Sequence, residues 1–328
     1  MRFPQLFAPI PHLIRDLLAR EPAIEAMRLI GSSGSVRILG MGGSYNAAVA
    51  AANTFVMCGL DARAELASQL LRTGCETVSG DSAIVLLSES GTSIETNRVA
   101  ATLRARGHRK LLCITNRVDS ELAASCDVTI EQNLTPATRR PIGPFAASFL
   151  SLYQLACRQA GTEVADPAAA VSAAADLVGR AASIAHLCRK APPCVEVFGR
   201  AALTASAAQA VLIIREIARV PASAWESSNY RHGPIEALTP SQLCLVIAAT
   251  AGREAELDRS FFRAIRGINE HTFVIGPADG DVPVDVPAEY LPLFAVIPPA
   301  CLAYSWGEEA GVPVGEFRYT SHTITDEG

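Results

Sequence analysis

Residues 83–95 read AIVLLSESGTSIE, and the fold turns on this stretch. Its first five residues, Ala83 to Leu87, are uniformly apolar, the pattern of a strand buried on both faces of a sheet. Ser88, Glu89, Ser90, Gly91, Thr92 and Ser93 follow, and then Ile94, Val99 and Leu103 mark a helix. A hydroxyl-rich turn between a strand and a helix N-terminus offers backbone N–H groups and hydroxyls to an anion, most often phosphate. The competing reading is an ordinary βα turn in which Ser93 only caps the helix.

The same alternation recurs outward from that stretch. Residues 12–30 predict helix interrupted near Pro22, and 36–39 a short strand. GMGGS (40–44) then leads into a small-residue helix from about Tyr45 to Gly59. Further strands are predicted at 60–65, 110–115 and 128–130, with helices at 67–71, 93–106, 120–124 and 145–160. Residues 166–170 read as a linker into helix 171–190. From Cys194 the pattern repeats, with strands at 195–198, 220–225, 243–248 and 272–275. Helices are predicted there at 201–219, 233–238, 254–267 and 298–309.

Strand starts at 36, 83 and 111 match starts at 195, 243 and 272, offsets of 159, 160 and 161 residues. A duplicated α/β unit follows: two doubly wound, flavodoxin-like parallel sheets in tandem, residues 1–165 and 166–328. Right-handed crossovers then place ligand sites beyond the carboxyl ends of the strands.

Composition narrows the function classes. The 328 residues are 49% hydrophobic and 19% charged, with a net charge of −5 and no Lys/Arg run. That balance argues against a nucleic-acid partner. Pro4, Pro9 and Pro11 break the N-terminal apolar patch, which does not read as a signal peptide, and no apolar run is long enough to span a bilayer. Nine cysteines, an odd number without a CxxC pair, fit free thiols in a reducing cytoplasm rather than disulfides or zinc. The six histidines contain no HExxH motif, and neither a metal nor another cofactor is expected.

GMGGSYN (40–46) departs from the dinucleotide fingerprint, because Tyr45 replaces its third glycine. What remains is a turn with Gly43 and Ser44 at a helix start, a second anion-binding element beside Ser88–Ser93. The second half supplies acid–base candidates. Glu216 lies late in an apolar helix, where burial would raise its pKa toward that of a general base. Its alternative is a carboxylate paired with Arg215 or Arg219. His232, in NYRHGP, precedes a Pro-started helix, a setting equally suited to function or to a surface cap.

IIREIARVPASAWESSNYRHGPIEAL (213–238) resembles the catalytic signature of sugar isomerase (SIS) domain proteins, in particular the isomerase half of glutamine:fructose-6-phosphate aminotransferase. GGSYNAA and SESGTS resemble that family's first turn and phosphate loop, and the likeness runs over essentially the whole chain. The resemblance implies that Glu216 moves a proton between sugar carbons C1 and C2 and that His232 opens the ring. It implies that Gly43, Ser44, Ser88, Ser90, Thr92 and Ser93 hold a phosphate. It also implies a homodimer, because the family histidine commonly acts from the neighbouring subunit.

Three departures accompany it. Glu89 stands where the aminotransferase has glutamine, and a carboxylate about 4 Å from a phosphate dianion is repelled by at least ~4 kcal/mol at an effective dielectric near 20. Glu89 therefore points elsewhere, binds an ammonium or hydroxyl, or serves an unphosphorylated ligand. Ser321 takes the place of the family's Schiff-base lysine, and the only lysines are Lys110 and Lys190. The loop 135–145 matches the family's sugar-contacting loop loosely, and no stretch matches its glutaminase half. The expected function is an isomerase, deaminase or deglycase acting on a ketose, amino-sugar or Amadori-type sugar phosphate through an enediol or enolamine. The alternative from another class is a non-catalytic phosphosugar sensor.

Overall fold

The apolar run at 83–87 forms the middle strand of a five-stranded parallel sheet in the computed structural model, which describes residues 2–319, 321 and 323–326. The strands are β1 (Ser35–Gly40), β2 (Ala62–Leu66), β3 (Ser82–Leu87), β4 (Leu111–Thr115) and β5 (Val128–Glu131), ordered β2-β1-β3-β4-β5. A second parallel sheet contains β6 (Val195–Gly199), β7 (Ala222–Glu226), β8 (Leu243–Ile247), β9 (Thr272–Gly276) and β10 (Val282–Pro283). Its order, β7-β6-β8-β9-β10, repeats the first strand for strand. The duplication inferred from the strand spacing is present, and each sheet is the 2-1-3-4-5 doubly wound type.

Each sheet belongs to its own compact unit. One comprises 16–139, 143–164 and 317–328; the other comprises 1–15, 140–142 and 165–316. In the first, Ile84, Leu86, Leu111 and Cys113 of the sheet pack against Val99 and Leu103 of the helix Ile94–Ala105. In the second, Phe198, Cys244 and Val246 pack on Tyr230, Phe261 and Ile265, with the Phe198 and Tyr230 rings edge-to-face at 4.7 Å. Each such fully buried aliphatic or aromatic side chain contributes about 1.5–3 kcal/mol relative to its exposed state.

The structure departs from the periodicity in several places. The predicted helix 201–219 is α-helical only over Leu203–Ile213, then widens into a π turn over Ile214–Ala218 and stops at Arg219 with φ 58°. Gly307, on the helix Ile297–Glu309, comes so near this turn that a Cβ there would lie 2.6 Å from the Ile217 carbonyl oxygen. Helix 171–190 begins earlier, at Pro167, where the Asp166 side chain accepts a hydrogen bond from the Ala168 N–H, and it ends at Gly179. Finally, the Pro/Asp segment after β9 adds the two-residue edge strand β10, where Pro283 needs no outward N–H partner. Among the described residues, no single helix is long and apolar enough to cross a membrane.

Candidate functional site

The register of the first sheet, with Leu39 opposite Leu86, brings the turns after β1 and β3 out at the same carboxyl edge. Because β1 leads to β2 on one side and β3 continues on the other, this edge is the sheet's topological switch point. The helix after β1 starts at Gly42, earlier than the sequence pattern indicates, so Gly43 and Ser44 lie in its first turn, where the Ser44 N–H donates to the Met41 carbonyl at 3.0 Å. Gly40 is required there, since a Cβ would lie 2.8 Å from the Ser44 carbonyl carbon.

The turn after β3 is held from beneath. The Glu89 carbonyl accepts hydrogen bonds from the Asn116 N–H (2.9 Å) and the Thr115 hydroxyl (3.3 Å), and the Gly91 carbonyl accepts from the Leu122 N–H. Gly91 has φ 66°, and a Cβ on it would lie 2.1 Å from the Ser120 hydroxyl oxygen, so only glycine fits. Ser93 occupies the N-cap position of the helix Ile94–Ala105, yet its side chain makes no capping bond. Its hydroxyl pairs instead with that of Ser88 at 3.1 Å. The Thr92 hydroxyl donates to Ser90 Oγ at 3.0 Å, and the Gly91 N–H donates to Ser88 Oγ. The capping alternative therefore fails, and the hydroxyls form a cluster of their own. The carbonyl of Ile324, in the tail, accepts from the Ile94 N–H at 3.1 Å.

Glu89 is buried, and its carboxylate accepts from Arg139 Nη2 at 2.7 Å. The Glu89 charge is neutralised within the same unit. Sequence reasoning missed Arg139; its only signal was two adjacent arginines in the loop ahead of the helix Gly143–Ala160. Lys110 is engaged with Asp81 at 2.8 Å, and Ser321 bonds to the Thr323 carbonyl.

Glu216 and His232 belong to the other unit, on connections that follow the adjacent strands β6 and β7. Neither arginine beside Glu216 pairs with it: Arg215 donates to the Ala222 carbonyl and Arg219 to the Glu316 carbonyl. Glu216 is solvent-accessible, yet the protein around it desolvates the carboxyl and raises its pKa above the ordinary glutamate value. The positive charge of Arg140 works in the opposite direction. His232 is exposed, its N–H donates to the Asn229 carbonyl at 3.0 Å, and Gly233 follows it with φ 128°.

Residues 29–158 match the family model of the SIS domain. Over 268 residues it is 26% identical to the isomerizing glutamine–fructose-6-phosphate aminotransferase of Pyrobaculum aerophilum, covering 75% of this chain and 44% of that protein. The corresponding enzyme of Gloeobacter violaceus is 26% identical over 275 residues, 74% of this chain and 44% of its own length. The chain thus spans less than half the length of these curated relatives. In fold it resembles the C-terminal domain of the Francisella tularensis glucosamine–fructose-6-phosphate aminotransferase, with TM-score 0.78, 17% identity and coverage of 94% and 96% of the two chains. It also resembles glucosamine-6-phosphate deaminase of Thermotoga maritima, with TM-score 0.76, 18% identity and 94% coverage of each chain.

Proposed function

We propose that this chain is an enzyme that binds a phosphorylated ketose or amino sugar and moves a proton between C1 and C2. In this reading the hydroxyls of Ser44, Ser88, Ser90, Thr92 and Ser93, with the Gly43 backbone, hold the phosphate. Glu216 is the base that takes the proton from one carbon and returns it to the other, through an enediol, or an enolamine where the sugar bears nitrogen. His232 assists ring opening, from the neighbouring subunit of a homodimer. Two SIS domains, 1–165 and 166–328, acting in the cytoplasm complete the proposal.

The observation that carries it is the hydroxyl cluster Ser88–Ser93 at the switch point, whose serine at the N-cap leaves the cap unused. The raised pKa of Glu216 supports the acid–base role. The exchange of aminotransferase glutamine for Glu89 does not count against phosphate, because Arg139 takes that carboxylate. Deaminase, deglycase and simple isomerase chemistry are all compatible with this arrangement. A non-catalytic phosphosugar sensor is the second reading, favoured by Ser321 in place of the family lysine.

The test pairs a thermal-shift panel of matched sugars, with and without phosphate, with C1–C2 hydrogen exchange in deuterated water. Phosphate-dependent stabilisation and exchange are expected, and Glu216→Gln should retain the first and abolish the second. Stabilisation without exchange on any sugar identifies the sensor. Stabilisation that ignores the phosphate overturns the pocket assignment.

A further inference from the structure

In a trans peptide the carbonyl of one residue and the N–H of the next point in opposite directions. Holding a carbonyl beneath the turn after β3 therefore also aims the N–H that follows it. The Glu89 carbonyl is held by Thr115 and Asn116, at the end of β4. The Gly91 carbonyl accepts from the Leu122 N–H at 3.3 Å and from the Asn97 side chain, whose Nδ2 donates at 3.4 Å. Two hydroxyls take their bearings from this glycine: its own N–H donates to Ser88 Oγ, and the next N–H, of Thr92, donates to Ser90 Oγ, each at 3.2 Å. Asn97 lies one turn into the helix Ile94–Ala105 and is only 6% exposed. Its Nδ2 also reaches Glu121 Oε2 at 3.4 Å, so the NH2 group faces two oxygens. Its Oδ1 is buried and has no hydrogen-bond partner among the described residues. An unpaired buried amide oxygen destabilises a fold, and asparagine forms helix less readily than leucine. An apolar residue would avoid both costs, so the reason for asparagine is what its NH2 group holds.

We propose that Asn97 is a positioning residue of the anion turn: its amide clamps the Gly91 carbonyl and thereby sets the Ser88 and Ser90 hydroxyls for phosphate. Glu121, which opens the helix Glu121–Ser125, keeps the clamp turned to Gly91 by accepting from the same nitrogen. Without Asn97 the Gly91 carbonyl would keep only the Leu122 N–H, on a glycine whose backbone is the freest of the turn. The proposal rests on this turn being the phosphate site, as inferred above.

The experiment uses the full chain with Asn97→Leu and Asn97→Asp, titrated by NMR with inorganic phosphate and with fructose 6-phosphate. Hydrogen exchange at the Thr92 amide and thermal unfolding are read on the same samples. Asn97→Leu should unfold at the parental temperature or above it, yet bind both probes about tenfold more weakly. Its Thr92 amide should exchange about tenfold faster, because the turn opens locally while the fold does not. Asn97→Asp, which sets an acceptor against the Gly91 carbonyl and Glu121, should weaken binding at least as much. Affinity within about twofold of the parent in Asn97→Leu overturns the proposal. So does lowered affinity with parental Thr92 exchange, since Asn97 would then not be what holds the turn. If Asn97→Leu does not fold, the same two results in Asn97→Asp overturn it. If neither probe binds the parent, the phosphate reading fails, while the Thr92 exchange rates still decide whether Asn97 fastens Gly91.

Discussion

At the switch point of the first sheet the turns after β1 and β3 carry glycines and hydroxyls; at the equivalent point of the second sheet the turn after β6 carries Arg200. Arg200 Nε donates to Asp258 at 3.0 Å, and its Nη1 reaches Glu226 at 3.4 Å. Asp258 is fully buried on the helix after β8, and its other oxygen accepts from the Ala249 N–H at 3.1 Å. One duplicated fold therefore has two finished edges. In the first sheet the polar groups at the edge bond chiefly among themselves. In the second, an ion network spans from β6 to the β8 connection and uses the same space for structure. The repeat creates two crevices, and the side chains placed in them decide that one carries a hydroxyl cluster, the proposed ligand site, and the other an ion network.

The strongest way to break this comparison is Asp258→Ala. It leaves the mostly buried Arg200 with only Glu226 and Ser228 and the Ala249 amide without its acceptor, and should cost about 1–3 kcal/mol of unfolding free energy, read by urea titration. A loss below about 1 kcal/mol would mean the second edge is not a brace. The intermediate effect concerns the first edge. Arg139→Gln leaves the Glu89 charge uncompensated beside the anion, and should weaken phosphosugar binding about tenfold. Adding Glu89→Gln should recover binding to within about threefold of the parent, a coupling that calorimetry of all four proteins measures. Independent effects would show that the pair does not serve the anion loop.

The smallest effect is a pH dependence in the second sheet. Burial raises the pKa of Glu196 on β6, although the Trp225 indole N–H and the Gln242 amide donate to it. A carboxyl whose folded pKa lies above its unfolded value stabilises the fold fully below the unfolded pKa. That contribution is lost as pH rises through the folded pKa. Unfolding free energy should thus decline from the ordinary glutamate range upward, and Glu196→Gln should remove that slope. An unchanged slope would assign the decline to other groups.

Most of the fold was legible because parallel strands buried on both faces are written as short continuous apolar runs. LLCIT (111–115) and LCLVI (243–247) are strands at the positions their composition indicates. The hydroxyl turn and Glu216 were legible as well, since each stands out against an apolar background. The pairing of Glu89 with Arg139, fifty residues away, was not, because no local spacing records it. The π turn under Glu216 was invisible to helical periodicity, which cannot register a backbone neighbour such as Gly307.

What the sequence determined by itself is the repeated α/β pattern and the chemical character of the turns, because both depend on residues within one or two turns of chain. Which hydroxyls are free, which carboxylate is neutralised and which remains accessible in desolvating surroundings were decided by the tertiary structure. Those properties depend on burial and on charges brought close from distant parts of the chain, and electrostatic energy follows distance in space rather than separation in sequence.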